Sequence, residues 1–125
     1  MDIISSKLKE LNIKNFFINI GGEIRAEGLK DNNFWRIGIE NPLLNNQEIL
    51  EPFEFKQSLS IATSGNYRNP DHIRGYKDIK IDQDILSISV IDKKSTAYAD
   101  ALATGLFALG AVSYTHLTLP TILLV

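Results

Sequence analysis

Two side chains in the segment Thr96-Ala97-Tyr98-Ala99-Asp100-Ala101-Leu102-Ala103-Thr104-Gly105-Leu106-Phe107-Ala108-Leu109-Gly110 have the chemistry to form a site. The segment is apolar on nearly every side of a helix, which predicts a helix that is buried rather than half-exposed. Beyond the opening Thr96 and the Tyr98 hydroxyl, its polar groups are Asp100 and Thr104, four residues apart and so one turn from each other on one face. A carboxylate in such surroundings is costly unless it is paired, hydrogen-bonded or bound to a cation. Carboxylate plus hydroxyl is a hard oxygen pair, the kind magnesium or calcium prefers. The other reading is an Asp held by backbone amides or by an internal Arg25 or Arg36, with Thr104 bonding back to a carbonyl one turn earlier. The pattern alone favours this second reading.

The elements that must position these groups read as α+β, an antiparallel meander sheet with helices packed on one face. Ile3, Ile4, Leu8 and Leu11 fit one face of a short helix, with Asp2 as its N-cap. The dense β-branched and aromatic run 15–20 predicts a buried strand. Gly21-Gly22 turns the chain into a second strand over 23–27, ended by Gly28 and the turn residues Asp31-Asn32-Asn33. A third strand over 34–39 stops at Asn41-Pro42, with Trp35, Ile37 and Ile39 pointing to a core. Further strands are expected at 53–56, 59–63, 78–81 and 85–90, with a turn-rich stretch at 64–71.

Composition narrows the function classes. The 125 residues allow one domain, and 44% hydrophobic against 22% charged residues is ordinary for a packed core. Thirteen Lys and Arg against 15 Asp and Glu give a net charge of -2, scattered without a basic run, which argues against nucleic acid as a partner. With no cysteine there is no disulfide framework, no thiolate metal site and no cysteine nucleophile.

Four blocks then stand in order along the chain: Ile20-Gly21-Gly22-Glu23-Ile24-Arg25, Trp35-Arg36-Ile37-Gly38-Ile39-Glu40-Asn41-Pro42, Ala62-Thr63-Ser64-Gly65-Asn66-Tyr67 and Ala99-Asp100-Ala101-Leu102-Ala103-Thr104-Gly105. The series resembles the ApbE family of FAD:protein FMN transferases (flavin transferases), over roughly residues 3 to 110 and only the C-terminal part of the family's domain. A fifth family block, a loop of the type His-Ile-x-(Asp/Asn)-Pro-x-Thr-Gly, is altered. His72-Ile73 stands at the matching distance before the strand 85–90, but Arg74-Gly75-Tyr76-Lys77-Asp78-Ile79 follows. His72 is thus either the counterpart of the family's loop histidine or a surface histidine with no task.

The resemblance implies a partial, T-fold-like ApbE domain over 1–111. It also implies an enzyme that cleaves FAD at its pyrophosphate and moves FMN to a Ser or Thr hydroxyl of an acceptor flavoprotein. Mg2+ would be held by Asp100 and Thr104, with a further carbonyl ligand from the family's N-terminal half. By the same resemblance His72 would be catalytic. Gly21, Gly22, Glu23, Ser64, Gly65, Tyr67 and Ile73 would meet the flavin nucleotide. Without the family, Gly21-Gly22 is a strand turn, the Ser64–Tyr67 loop is a turn, and Gly105 serves either close ligand approach or helix packing. The isolated chain is expected to be inactive, and a non-catalytic flavin- or nucleotide-binding module is the alternative. The family points to the bacterial cell envelope or periplasm, often with a lipid anchor.

Residues 112–125 read differently. Val112-Ser113-Tyr114-Thr115-His116-Leu117-Thr118-Leu119-Pro120-Thr121 looks like an in-frame translation of a sequencing adapter, so this stretch is kept out of fold reasoning and His116 out of the ligand set. The chain is accordingly expected to be a piece of a longer protein.

Overall fold

A computed structural model describes residues 1–41, 49, 52–56, 58–66, 73–75 and 85–110, and the backbone of 121–124. The element order is α1 (Asp2–Glu10), β1 (Phe16–Ile20), β2 (Glu23–Glu27), β3 (Trp35–Ile37), β4 (Phe53–Phe55), β5 (Leu59–Gly65), β6 (Ser87–Asp92), α2 (Thr96–Leu109) and β7 (Thr121–Leu124). Five strands form an antiparallel sheet in the order β1-β2-β5-β6-β7, while β3 and β4 pair with each other in a separate two-stranded sheet. Among the described elements the meander is therefore interrupted by an excursion between β2 and β5 and by α2 between β6 and β7.

That excursion gives the sheet a cover on its second face. Ala62, Ile88 and Val90 point to one side and pack against Ala99, Ala103, Leu106 and Phe107 of α2. Ala26, Leu59 and Ile61 point to the other side and pack with Ile37, Trp35 and Phe55 of the β3–β4 pair. With layers on both faces, β5 is buried along most of its length, as a central strand of a three-layer arrangement must be. Trp35 is anchored as well as packed: its indole nitrogen donates to the Glu27 carbonyl at 3.0 Å, and its ring lies 5.3 Å from that of Phe17.

Gly21 and Gly22 make the two-residue β1–β2 turn, with φ of 61° and 104°. A turn with left-handed backbone at both central positions matches the twist of the flanking strands, and glycine enters it without strain.

Three expectations about the helices are corrected. The apolar face foreseen for α1 is not buried: Ile3 is 84% exposed, Leu11 64%, and the buried residue of the helix is Ser5. Asp2, Ser5 and Lys9 share the opposite face, and it is this polar face that docks, through Asp2 to the start of α2 and through Lys9 to Glu27 at 2.7 Å. Asp2 does not cap its own helix, whose N-cap is Met1 without a side-chain bond. Nor is α2 buried all round. Thr96, Ala99, Ala103, Leu106 and Phe107 face inward, while Tyr98 is 52% and Leu109 41% exposed. A helix laid on one face of a sheet can bury only one stripe, whatever the polarity of its remaining surface.

Within the stretch kept out of fold reasoning, Thr121–Leu124 forms β7 at the outer edge of the sheet, paired with β6 from Ile91↔Thr121 to Ile88↔Leu124. The expected strand at 78–81 lies outside the described residues.

Candidate functional site

The two ladders of β5 are unequal. It pairs with β2 only at Leu59, Ser60 and Ile61, but with β6 at every position from Ser60 to Gly65. Past Ile61, then, the β2 side of β5 is open, and the Gly21-Gly22 turn stands over the gap. A cavity of about 420 Å³ occupies this notch. One wall is the turn with Glu23, another is Thr63, Ser64 and Gly65, and the far side carries Gly38, Ile39 and Glu40. Asp100 and Thr104 close it from α2, beside Ile73.

Every candidate residue that falls within the described structure lines this one cavity: Gly21, Gly22, Glu23, Ser64, Gly65 and Ile73, together with the helix pair Asp100 and Thr104. His72 and Tyr67 lie outside the described residues. The sheet register explains the convergence, since a turn, a strand end and one helix face meet only where β2 stops short of β5.

Thr104 does not bond back to its own helix. Its hydroxyl oxygen lies 2.9 Å from that of Ser64, joining α2 to β5 at the cavity wall. Asp100, one turn earlier and half-buried, has neither an ion pair nor a hydrogen-bond partner among the described residues. The two arginines that could have neutralised it are engaged elsewhere. Arg25 pairs with Glu27 and donates to Ser60 at 2.7 Å and to the Lys94 carbonyl at 3.0 Å, and Arg36 faces Glu54 at 3.7 Å. A carboxylate with no cation partner among the described residues, beside hydroxyl oxygens, is the donor chemistry a hard divalent cation takes. Among the described residues no group of three or more His, Cys, Asp and Glu surrounds the spot, so Asp100 and Thr104 could supply only part of a coordination shell. Magnesium commonly keeps its remaining positions for water and phosphate oxygens.

Glu27 sits behind the site, buried between Arg25, Lys9 and Ser58. Burial works against its charge, but the Lys9 ammonium, the Ser58 hydroxyl and Arg25 outweigh it and hold its carboxyl below the usual range.

The lining residues Gly38, Ile39, Glu40 and Thr63 were not singled out in the sequence as site residues, nor was Asn66, which supports the wall. Asn66 acts as a clamp: its amide nitrogen donates to the Ile73 carbonyl and its amide oxygen accepts from the Ile73 amide, both at 2.9 Å. An Asn side chain offers donor and acceptor side by side, as a strand neighbour would, and so fixes Ile73 at the cavity without any strand there. The signal was the Asn itself, read only as a turn former. Gly65 has a structural task, because a Cβ there would run into the Leu86 carbonyl and Ser87 of the adjoining strand. Outside its own helix, no atom of the described residues lies within 4 Å of where a Cβ of Gly105 would sit, so packing among them does not require glycine there.

Fold and cavity together define an α+β domain with a cavity at an open end of its sheet. The chain belongs to the ApbE family, whose sequence profile matches residues 1–119. It is 40% identical over 124 residues to the FAD:protein FMN transferase of Vibrio cholerae serotype O1, covering 88% of this chain and 35% of that protein. It is 34% identical to that of Haemophilus influenzae, covering 88% and 34%. Among solved structures, the flavin transferase ApbE from Vibrio cholerae superposes with a TM-score of 0.66 at 39% identity, over 88% of this chain and 37% of that one. The apo flavinyl transferase ApbE of Pseudomonas stutzeri gives 0.66 at 33% identity, over 88% and 35%. The chain thus spans about a third of the length of the relatives it matches.

Proposed function

We propose that this chain carries the cation-holding wall and part of the flavin-nucleotide pocket of an FAD:protein FMN transferase. The observation that supports it most is the convergence of Asp100, Thr104, Ser64 and the Gly21-Gly22 turn on one cavity, with no ion pair at Asp100 among the described residues. In the proposed reaction the hydroxyl oxygen of a Ser or Thr on an acceptor flavoprotein bonds to the FMN phosphorus of FAD. The pyrophosphate P–O bond breaks, AMP leaves with the electron pair, and the hydroxyl proton passes to a base. A bound Mg2+ would supply charge neutralisation on the phosphate oxygens. Asp100 would hold it through a charged oxygen and Thr104 through a neutral one, with the Ser64 hydroxyl fixing where that neutral oxygen stands. The turn glycines, free of side chains, let a nucleotide approach the main chain. His72 is proposed to act beside this pocket, and Tyr67 and Ile73 to border the flavin. Work at the bacterial cell envelope is part of the same proposal.

The test is a titration of the 125-residue chain with FAD, followed by flavin fluorescence, with and without Mg2+. Binding strengthened by Mg2+ in the wild type and insensitive to Mg2+ in Asp100→Ala supports the reading. FAD binding that ignores both Mg2+ and the substitution favours a non-catalytic flavin-binding module.

A further inference from the structure

The end of α2 remote from the cavity is held by a residue of another helix. One carboxylate oxygen of Asp2 accepts from the Thr96 amide at 2.8 Å. The other accepts from the Ser95 hydroxyl at 2.8 Å and the Ala97 amide at 3.2 Å. Ser95 in turn accepts from the Tyr98 amide at 3.1 Å, so Asp2 and the local N-cap share the work of satisfying the first turn. A second anchor meets the same turn from below. The Thr96 hydroxyl lies 2.9 Å from that of Ser60, which also receives Arg25.

What makes these anchors decisive is the poverty of the packing beyond them. Along its first two turns α2 buries Ala99 and Ala103 against the sheet, with Leu102 half-buried beside them, and fully buried bulky side chains follow at Leu106 and Phe107. Alanine surfaces are smooth and specify rotation and slide weakly, whereas directional hydrogen bonds specify both. Asp100 and Thr104 lie about 6 Å and 12 Å along the axis from Thr96, within the span over which a helix moves as a rigid rod.

We propose that Asp2 is a positioning residue for the cavity. By capping α2 from α1 it sets the rotation and slide at which Thr104 meets Ser64 and Asp100 faces the cavity. The inference rests on the reading of Asp100 and Thr104 as the cation-holding pair.

The test compares Asp2→Ala, Asp2→Asn and Ser95→Ala in the 125-residue chain. Glu10→Gln, an exposed charge on the same helix, serves as control. Amide chemical shifts of Ser64 and Thr104 are read without any ligand, and paramagnetic broadening by Mn2+ is read at the Asp100 and Thr104 amides. Asp2→Ala is expected to move the Ser64 and Thr104 signals and to weaken Mn2+ binding about tenfold, the low end for supports of metal ligands. These readings are made at a temperature where the variant is fully folded. Asp2→Asn and Ser95→Ala, the milder changes, are expected to follow in the same direction at smaller amplitude, and Glu10→Gln to change neither readout. A lowered melting temperature with unchanged Ser64 and Thr104 signals and unchanged Mn2+ affinity overturns the proposal. Absence of Mn2+ broadening in the wild type overturns the cation reading instead, and the ligand-free shifts then judge the role of Asp2.

Discussion

Thr104 on α2 and Ser64 on β5 meet hydroxyl to hydroxyl at 2.9 Å, at the point where the helix crosses the unpaired end of the strand. The contact ties the two blocks of sequence that the family resemblance set 40 residues apart. In the proposed assignment it also divides labour at the cavity: Asp100 would bring the charge to the cation, and the hydroxyl pair would fix geometry.

That division predicts unequal effects. In an intact parent enzyme, Asp100→Ala is expected to abolish Mg2+-dependent transfer, while Thr104→Ala weakens it less because a hydroxyl carries no charge. Thr104→Ser, which keeps the oxygen, should retain more activity than Thr104→Ala. Equal loss in Asp100→Ala and Thr104→Ala, measured as kcat/KM for FAD, would contradict the assignment.

Asp2 gives a pH signature. Partial burial works against its charge, but the Thr96 amide, the Ser95 hydroxyl and the Ala97 amide outweigh it, lowering the pKa from 3.8 to about 2. A carboxyl depressed in the folded state stabilises fully above its unfolded value and loses that contribution as pH falls through the folded one. The window is therefore between about pH 4 and pH 2, and the amount roughly 1–2 kcal/mol once solvent screening is allowed for. Urea unfolding at several pH values should show the gap between wild type and Asp2→Asn closing across that window. A constant gap would refute it.

The buried Arg25–Glu27 pair should be costly to break from one side. Glu27→Ala leaves the Arg25 guanidinium buried without its carboxylate, and a loss of about 3–5 kcal/mol is expected in denaturant unfolding. Lys9→Ala, which removes only the half-exposed partner of Glu27, should cost under about 1 kcal/mol. Similar losses for both variants would show that the pair is not the centre of this cluster.

Asn66→Ala removes both halves of the Ile73 clamp. Hydrogen exchange at the Ile73 amide should accelerate, with a stability loss of about 1–3 kcal/mol from the two unmet main-chain groups. Asn66→Asp keeps the acceptor for the Ile73 amide and loses the donor to its carbonyl. It should retain part of the exchange protection. Protection unchanged in Asn66→Ala would show that packing alone holds Ile73.

Several strands were legible in the sequence because their signals are local, although the run 15–20, read as buried, forms a β1 of which only Phe16 is buried. Alternation and turn residues marked 23–27, which the structure reproduces as Glu23–Glu27, and the Gly21-Gly22 turn needed no distant partner. The second layer was not legible, since nothing in 34–39 or 53–56 says which sheet a strand joins. The face of α1 was misread for a related reason. Ile3, Ile4, Leu8 and Leu11 have helical spacing, but which side docks is decided by Asp2 and Lys9 finding partners far along the chain. At the site, residue identities were readable and their surroundings were not. Asp100 was expected on a buried helix face, either satisfied internally or facing a cation, and it is half-buried with Arg25 and Arg36 committed elsewhere.

The shortfall of β2 against β5 has an evolutionary corollary. A pocket made by one strand ending early is written in chain length and register, not in the identity of the side chains around it. Apart from the glycines, Ser64, Asp100 and Thr104, side chains along its walls can change without closing it. A residue inserted or deleted near the Gly21-Gly22 turn, by contrast, would flip the side-chain alternation of a flanking strand and shift the rim of the pocket. Relatives that have diverged in specificity should therefore differ by substitution around this notch and agree in the length of the β1–β2 hairpin.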